Sequence, residues 1–368
     1  MNALNHYCTL FNVAYAAQGL ALAESLQHTD PTGKLFVLAM DEGVEEILVA
    51  LRRPNVVCIS LDALERHFPE LARAKTDRTR VEYFYTLSPF LPLYLLRENS
   101  GVSRITYVDA DMYFFASPEE MFIEMGEGSI YVVEHRFPEH LRHQESHGRF
   151  NVGVLSFRRD ASALACLRWW ADRCVEWCHA WLEGDRYADQ KYLDQWPARF
   201  SGVVMSRHPG VNLAPWNWIN FHYHAAGERL LVNGYPLVVF HFARFRPLLG
   251  HLVFSSGQRQ YGVMPHALRN WIYRRYWLAL VRALTELERA RPASVAPLRM
   301  QVARADIVEH LPSRLIFGSD WVWVGGEFFS GRFGFGQYSG RVLAEMKRLK
   351  NRWRRSVRTD ATAPLSSP

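Results

Sequence analysis

The feature that most constrains this chain is a switch of hydrophobic period that recurs three times in its first hundred residues. "YCTLFNV", "KLFVLAM" and "NVVCISL" are apolar runs of strand length. Each is followed by a stretch whose apolar residues return every three or four positions: "AYAAQGLALAESLQ", "DEGVEEILVALRR" and "DALERHFPELARA", the last opening at Asp62. Strand–helix units in series predict parallel strands with helices on the faces of the sheet. "VEYFYTLSPFLPLYLLRE" continues as a helix bent near Pro89 and Pro92. Further on, "SIYVVEH", "RFNVGVLSFRR" and "LVVFHF" read as strands. "ASALACLRWWADRCVEWCHAWLE" reads as one long helix with Trp169, Trp170, Trp177 and Trp181 in the core, and "RYADQKYLDQW" begins another helix. The expectation is an α/β wound sheet over residues 1–250 and a helix-rich C-terminal extension over 251–340. A basic amphipathic helix at 341–358 and a disordered tail at 359–368 complete it.

With 368 residues, 49% of them hydrophobic, the chain can bury a large core. Its net charge of +6 suggests nucleic acid until the charge is located. Residues 341–358 hold eight basic side chains and one Glu, which leaves the remainder close to neutral and excludes a broad nucleic-acid face. In that segment Val342, Met346, Leu349, Trp353 and Val357 form an apolar stripe, the composition of a helix lying on an anionic membrane surface; a helix docked on the protein's own body by that stripe is the alternative. No apolar run is long enough to cross a bilayer, and the N-terminus lacks the basic start of a secretory signal. Five cysteines without CxxC spacing fit a reducing cytoplasm, and Cys174 with Cys178 lacks a second ligand pair for zinc. A cytoplasmic protein, peripheral on the inner membrane face, is the resulting expectation.

"RITYVDADMYFFAS" places Asp109 and Asp111 in an otherwise apolar run. An ionised carboxylate is costly to bury without a partner. On a strand, alternate side chains share a face, and in a wound sheet the strand ends open into the ligand crevice. Two carboxylates converging there suit a hard divalent cation that takes substrate phosphates as further ligands.

Around that pair the sequence resembles the nucleotide-sugar-dependent glycosyltransferases of the GT-A fold, and most closely their family-8, glycogenin-like and galactosyltransferase-like branch. The resemblance covers about residues 5–247 and marks the chain as a divergent bacterial-type member. "FNVAYAAQGLALAESL" is similar to that family's first strand and helix, which implies nucleotide contacts from Thr9, Phe11, Asn12 and Tyr15, with Asp109 adding to them. "ITYVDADMYFF" resembles its metal-binding DxD element, and "FHFARFRP" its "HxxGxxKP". Together these imply a metal site of Asp109, Asp111 and His241, and a diphosphate contact from Arg244 or Arg246. "RFNVGVLSF" is similar to "FNAGV", which implies a donor-sugar contact from Asn151. "ADQKYLDQW" is similar to "DQD", which implies Asp189 and Gln190 as catalytic groups at the anomeric carbon, Asp189 also orienting donor hydroxyls. The chain departs from the pattern at Arg244, which stands for Gly, and at Arg246, one position closer to His241 than the family's Lys. "GVNLAPWNW", with Asn212, Trp216 and Asn217, suits a sugar or acceptor wall.

The expected activity is therefore transfer of a sugar, with retention, from a nucleotide-diphospho-sugar to an envelope glycan, lipid-linked or other acceptor. It would depend on Mn²⁺ or Mg²⁺, and Mn²⁺ tolerates a mixed oxygen and imidazole shell. Two other readings compete. A phosphatase of the haloacid-dehalogenase type would use the DxD aspartate, but it wants Thr or Val where Tyr113 stands. A non-catalytic sugar-nucleotide-binding protein would not need the full set. His140, His143 and His147 read as a polar loop, and the spacing in "WVWVGGEFFSGRFGFGQYSG" does not match a phosphate loop.

Overall fold

Strand β1 (His6–Phe11), helix α1 (Ala16–Thr29), β2 (Lys34–Ala39), α2 (Glu42–Leu51) and β3 (Val56–Ser60) form the expected units. β1 pairs in parallel with β2, and β2 with β3. β1 and β2 are buried almost end to end, as strands covered on both faces must be. The structure is a computed structural model and describes residues 4–243, 245–248, 253–255, 261–262, 264–290 and 321–323.

The third helical stretch is two helices, α3 (Leu61–His67) and α4 (Leu71–Asp77). Ser60 accepts the Ala63 N–H and starts α3 one residue before Asp62. Pro69, which has no N–H to continue the ladder, separates the pair. Pro89 likewise divides α5 (Arg80–Leu87) from α6 (Phe90–Glu98) at the predicted bend, whereas Pro92 falls in the first turn of α6.

Next come β4 (Arg104–Val108), β5 (Met112–Phe114), α7 (Glu119–Met125), β6 (Ile130–Glu134), β7 (Phe150–Arg158), α8 (Ala161–Glu176), α9 (Trp196–Arg199) and β8 (Val203–Met205). The seven-stranded sheet runs β3-β2-β1-β4-β7-β6-β8. β4 joins β1 in parallel, whereas β7 is antiparallel to both β4 and β6, so the wound sheet is mixed. A meander of β9 (Tyr223–Ala226), β10 (Arg229–Val232) and β11 (Tyr235–Pro236) leads to β12 (Val239–His241), which pairs antiparallel with β5.

Helix α10 (His266–Ala290) packs along α1 and α2. Arg282 pairs with Glu24 and Arg53 with Glu286 along this seam. Tyr276 stacks on Phe242 with ring centres 3.8 Å apart, just past the end of β12. No helix among the described residues is long and apolar enough to cross a membrane.

The chain separates into two compact units. One comprises residues 1–245 and 256–301; the other comprises 246–255 and 302–368. In the second, β13 (Arg246–Leu248), β14 (Val253–Ser255) and β15 (Trp321–Trp323) form an antiparallel sheet. The segments 341–358 and 359–368 lie outside the described residues.

α8 stops at Glu176, short of the predicted end, because Trp177 takes an extended backbone. Beyond it the Glu82 carboxylate captures the Ala180 N–H at 3.0 Å and lies 3.3 Å from His179 Nδ1. Trp170 and Trp177 join the core as predicted. Trp181 does not: it is 51% exposed and stacks on His179.

Glu82 also closes a capping box with Thr79 at the start of α5. Burial alone would raise its pKa, but the N–H groups of Ala180 and Thr79, the Thr79 hydroxyl and His179 outweigh that and hold it at about 2. A depressed carboxyl adds stability above its unfolded value and loses it as pH falls toward the folded one. Glu82→Gln should therefore lower unfolding stability by about 3 kcal/mol at pH 7. In urea melts the gap between wild type and variant should close as pH falls from about 4.5 to about 2.

Candidate active site

β4 ends at Val108, so Asp109, Ala110 and Asp111 occupy a turn and not the strand itself. The Asp109 carbonyl accepts the Met112 N–H at 3.1 Å and closes that turn. Strand alternation is thus not what brings the two carboxylates together; the turn does so. The Asp109 N–H donates to the Gly153 carbonyl at 3.0 Å, which ties the turn to β7.

The third member arrives by strand pairing. In the β5–β12 ladder His241 lies opposite Met112, next to Asp111. Its Nε2 is 3.2 Å from Asp111 Oδ1 and 3.9 Å from Asp109 Oδ2. One ligand atom from each of Asp109, Asp111 and His241 lies within 4.8 Å of the others. The two carboxylates are partly exposed and the imidazole is buried, so the cluster opens toward solvent on its acidic side.

Burial raises the Asp109 carboxyl to about 6, with His241 opposing, Asp111 adding to the rise and the Tyr107 hydroxyl opposing it from 3.1 Å. Burial lowers the His241 pKa, yet Asp111 and Asp109 outweigh it and the net shift is upward. Two acids and an imidazole this close repel or share protons until a cation takes their place.

Behind His241 lies Asn151 on β7. Its Oδ1 is 3.2 Å from His241 Nδ1 and accepts the Gly153 N–H at 3.1 Å. Its amide nitrogen is 3.1 Å from His135 Nε2. A Cβ on Gly153 would come within 2.6 Å of Asn151 Oδ1 and 2.9 Å of His241 Nδ1. The glycine of "FNVGV" is what lets these side chains meet. Burial drives the His135 pKa down to about 3, so that ring is neutral. His135 carried no signal in the sequence, since nothing in "SIYVVEH" marks it apart from other strand-end residues.

Asp189 is 4% exposed and follows Ala188, whose backbone is left-handed. Its carbonyl accepts the Trp170 indole N–H at 2.8 Å. Burial lifts its carboxyl to about 7; a hydrogen bond from Ser88 opposes the rise and Asp109 adds to it. Gln190 lies beside Asp189, its amide donating to the His147 carbonyl at 3.1 Å.

Of the nucleotide-side residues, Thr9 is fully buried and its hydroxyl lacks a hydrogen-bond partner, as does Asn12 Oδ1 at the end of β1. Phe11 is buried and Tyr15 is 41% exposed. Burial raises the pKa of Tyr85, and the charges of Asp189, Tyr187, Asp109 and Tyr15 add to the rise. Arg244 lies outside the described residues, and Arg246 is described through its backbone, in β13.

The loop with Asn212, Trp216 and Asn217 is buried. Trp216 packs its ring 5.2 Å from that of His241 and donates its indole N–H to the His135 carbonyl, which also accepts from Asn217. It backs the His241 cluster. His140, His143 and His147 fall in 3-10 turns over Glu139–His147.

No family model matches the sequence. Two proteins of Bacillus subtilis (strain 168) are similar to it. The uncharacterized protein YfnF is 31% identical over 248 residues, 65% of this chain and 81% of its own. The uncharacterized protein YfnD is 28% identical over 290 residues, 78% of this chain and 92% of its own. Among solved structures, the galactosyltransferase LgtC in complex with donor and acceptor sugar analogs aligns with a TM-score of 0.44 at 18% identity, over 65% of this chain and 87% of that one. The glycosyltransferase GlyE of Streptococcus pneumoniae TIGR4 aligns at 0.45 with 14% identity, over 77% of this chain and 64% of that one.

The donor set of two carboxylates and one imidazole fits a divalent cation such as Mn²⁺. Asp111→Asn should weaken Mn²⁺ binding by more than the roughly 10–100-fold typical of losing a supporting partner. Titration calorimetry checks this; an unchanged affinity would remove Asp111 from the site.

Proposed function

We propose that this chain, which belongs to the family of Bacillus subtilis YfnF, is a metal-dependent glycosyltransferase of the GT-A type that moves a sugar from a nucleotide-diphospho-sugar to a glycan or lipid-linked acceptor. The observation that carries the reading is the meeting of Asp109, Asp111 and His241 within 4.8 Å. A buried carboxyl, Asp189, feels the charge of Asp109 in that cluster, which adds to the rise of its own pKa.

The bond to be broken joins an anomeric carbon to a diphosphate. A cation held by Asp109, Asp111 and His241 would neutralise charge on the departing diphosphate. Mn²⁺ suits that mixed donor set better than Mg²⁺. Asp189, at about 7, can accept a hydrogen bond from a donor hydroxyl or hold a proton, and its burial keeps water from it. Gln190 flanks it. Thr9, Phe11, Asn12 and Tyr15, on β1 and the turn after it, are the base-side candidates, with Tyr15 the exposed member. Arg244 and Arg246 are the diphosphate candidates. Retention of configuration follows from the resemblance.

We assign the basic segment 341–358 to peripheral contact with an anionic membrane on the cytoplasmic face, which favours an envelope or lipid-linked acceptor. Reversing Arg354 and Arg355 to Glu in the full chain should abolish co-sedimentation with anionic vesicles and leave zwitterionic vesicles unaffected. Equal sedimentation of both proteins with anionic vesicles would end this assignment.

A panel of nucleotide sugars should reveal one whose hydrolysis or transfer needs Mn²⁺ and stops with chelator. Asp189→Asn should cut that rate by about 100-fold or more, with Mn²⁺ binding retained. Turnover of simple phosphate esters with no nucleotide sugar consumed would instead favour the phosphatase.

A further inference from the structure

The side-chain amide of Asn151 is engaged at both its oxygen and its nitrogen. The Gly153 backbone N–H can only donate, so the atom it meets at 3.1 Å must be the amide oxygen. That oxygen also faces His241 Nδ1 at 3.2 Å, and an acceptor there demands a proton on Nδ1. In the neutral ring Nε2 is then bare, and Nε2 is the atom turned toward Asp111 and Asp109.

The far end is determined in the same way. The Asn151 amide nitrogen can only donate, so His135 Nε2, 3.1 Å away, must accept. The proton of the neutral His135 ring then sits on Nδ1, which is 3.3 Å from the Arg149 carbonyl, a group that can only accept. Backbone groups at both ends thus fix every proton along the row. The His135 ring is itself clamped: it stacks on Phe137 with centres 4.7 Å apart, and its carbonyl takes hydrogen bonds from Trp216 and Asn217.

We propose that Asn151 and His135 are positioning residues, a hydrogen-bonded relay in which Asn151, its oxygen oriented by the Gly153 N–H, sets the tautomer of His241 and presents its bare Nε2 beside Asp109 and Asp111, while His135 holds the Asn151 amide in place. The assignment rests on the reading of those three side chains as a metal site. Removing the acceptor on His135 orphans the Asn151 NH₂ group. The Gly153 N–H still holds the amide oxygen toward His241 Nδ1, so the tautomer persists, but a buried NH₂ without a partner leaves the amide and the ring it supports less firmly placed for a cation.

The test compares wild type with His135→Leu, which removes the acceptor, and His135→Gln, which keeps one at the same reach. Titration calorimetry with Mn²⁺ alone is the first readout. The second is 15N NMR of histidine-labelled, metal-free protein at about pH 9, where imidazole is neutral. Wild-type His241 should show a protonated Nδ1 and a bare Nε2. His135→Leu should bind Mn²⁺ about 10–100-fold more weakly with the His241 proton still on Nδ1, and His135→Gln should retain wild-type behaviour in both. Unchanged Mn²⁺ affinity in a folded His135→Leu would overturn the relay, as would equal losses in the two variants. If His135→Leu does not fold, the wild-type spectrum decides, and a bare Nδ1 overturns it. Absence of Mn²⁺ binding in wild type would overturn the metal site instead, with the tautomer still read from the spectrum.

Discussion

Pairing of the short strand β5 with β12 is the contact on which the candidate site depends. It sets His241 opposite Met112, and everything that defines the site follows from that register. A shift by one residue would turn His241 to the other side of the ladder. The register is held from behind by aromatic packing: Phe242 stacks on Tyr276 of α10, Tyr113 meets the same ring edge-on, and Phe115 packs on Trp271. Rings of this size bury enough apolar surface to secure two three-residue strands that hydrogen bonds alone would leave marginal.

This arrangement explains a division of labour along the chain. The parallel half of the sheet, β3-β2-β1-β4, builds a rigid floor from contiguous sequence. The functional side chains then collect on the turn after β4, on β7, on the loop after α8 and on β12, all at or near the ends of elements. The antiparallel β7 brings Gly153 against the Asp109 turn and Asn151 against His241.

Much was legible from residue order because local period and steric rules act over short range. The alternation of β1, α1, β2, α2 and β3, the interruption at Pro89 and the ending of β12 at His241 all followed from patterns within about a dozen residues. The errors share a different cause. α8 was read through to Glu183, because Trp and Leu at helical spacing continue the stripe; Glu82, about a hundred residues earlier, takes the Ala180 N–H and ends that pattern. Strand alternation was invoked for Asp109 and Asp111, whose convergence comes from a turn that Gly153 anchors.

The sequence by itself determined the α/β class, the apolar trunk of the central strands and the identity of the acids and histidine that can meet a cation. These depend on side-chain chemistry and on near-neighbour periodicity. Tertiary structure alone decided which atoms face one another: that Nε2 and not Nδ1 of His241 points at the carboxylates, that Asn151 is engaged by Gly153 and His135, and that Trp216 lies behind the site. Proton placement in such a row is set by backbone donors and acceptors that every residue carries alike. Their direction exists only once strands distant in sequence are paired.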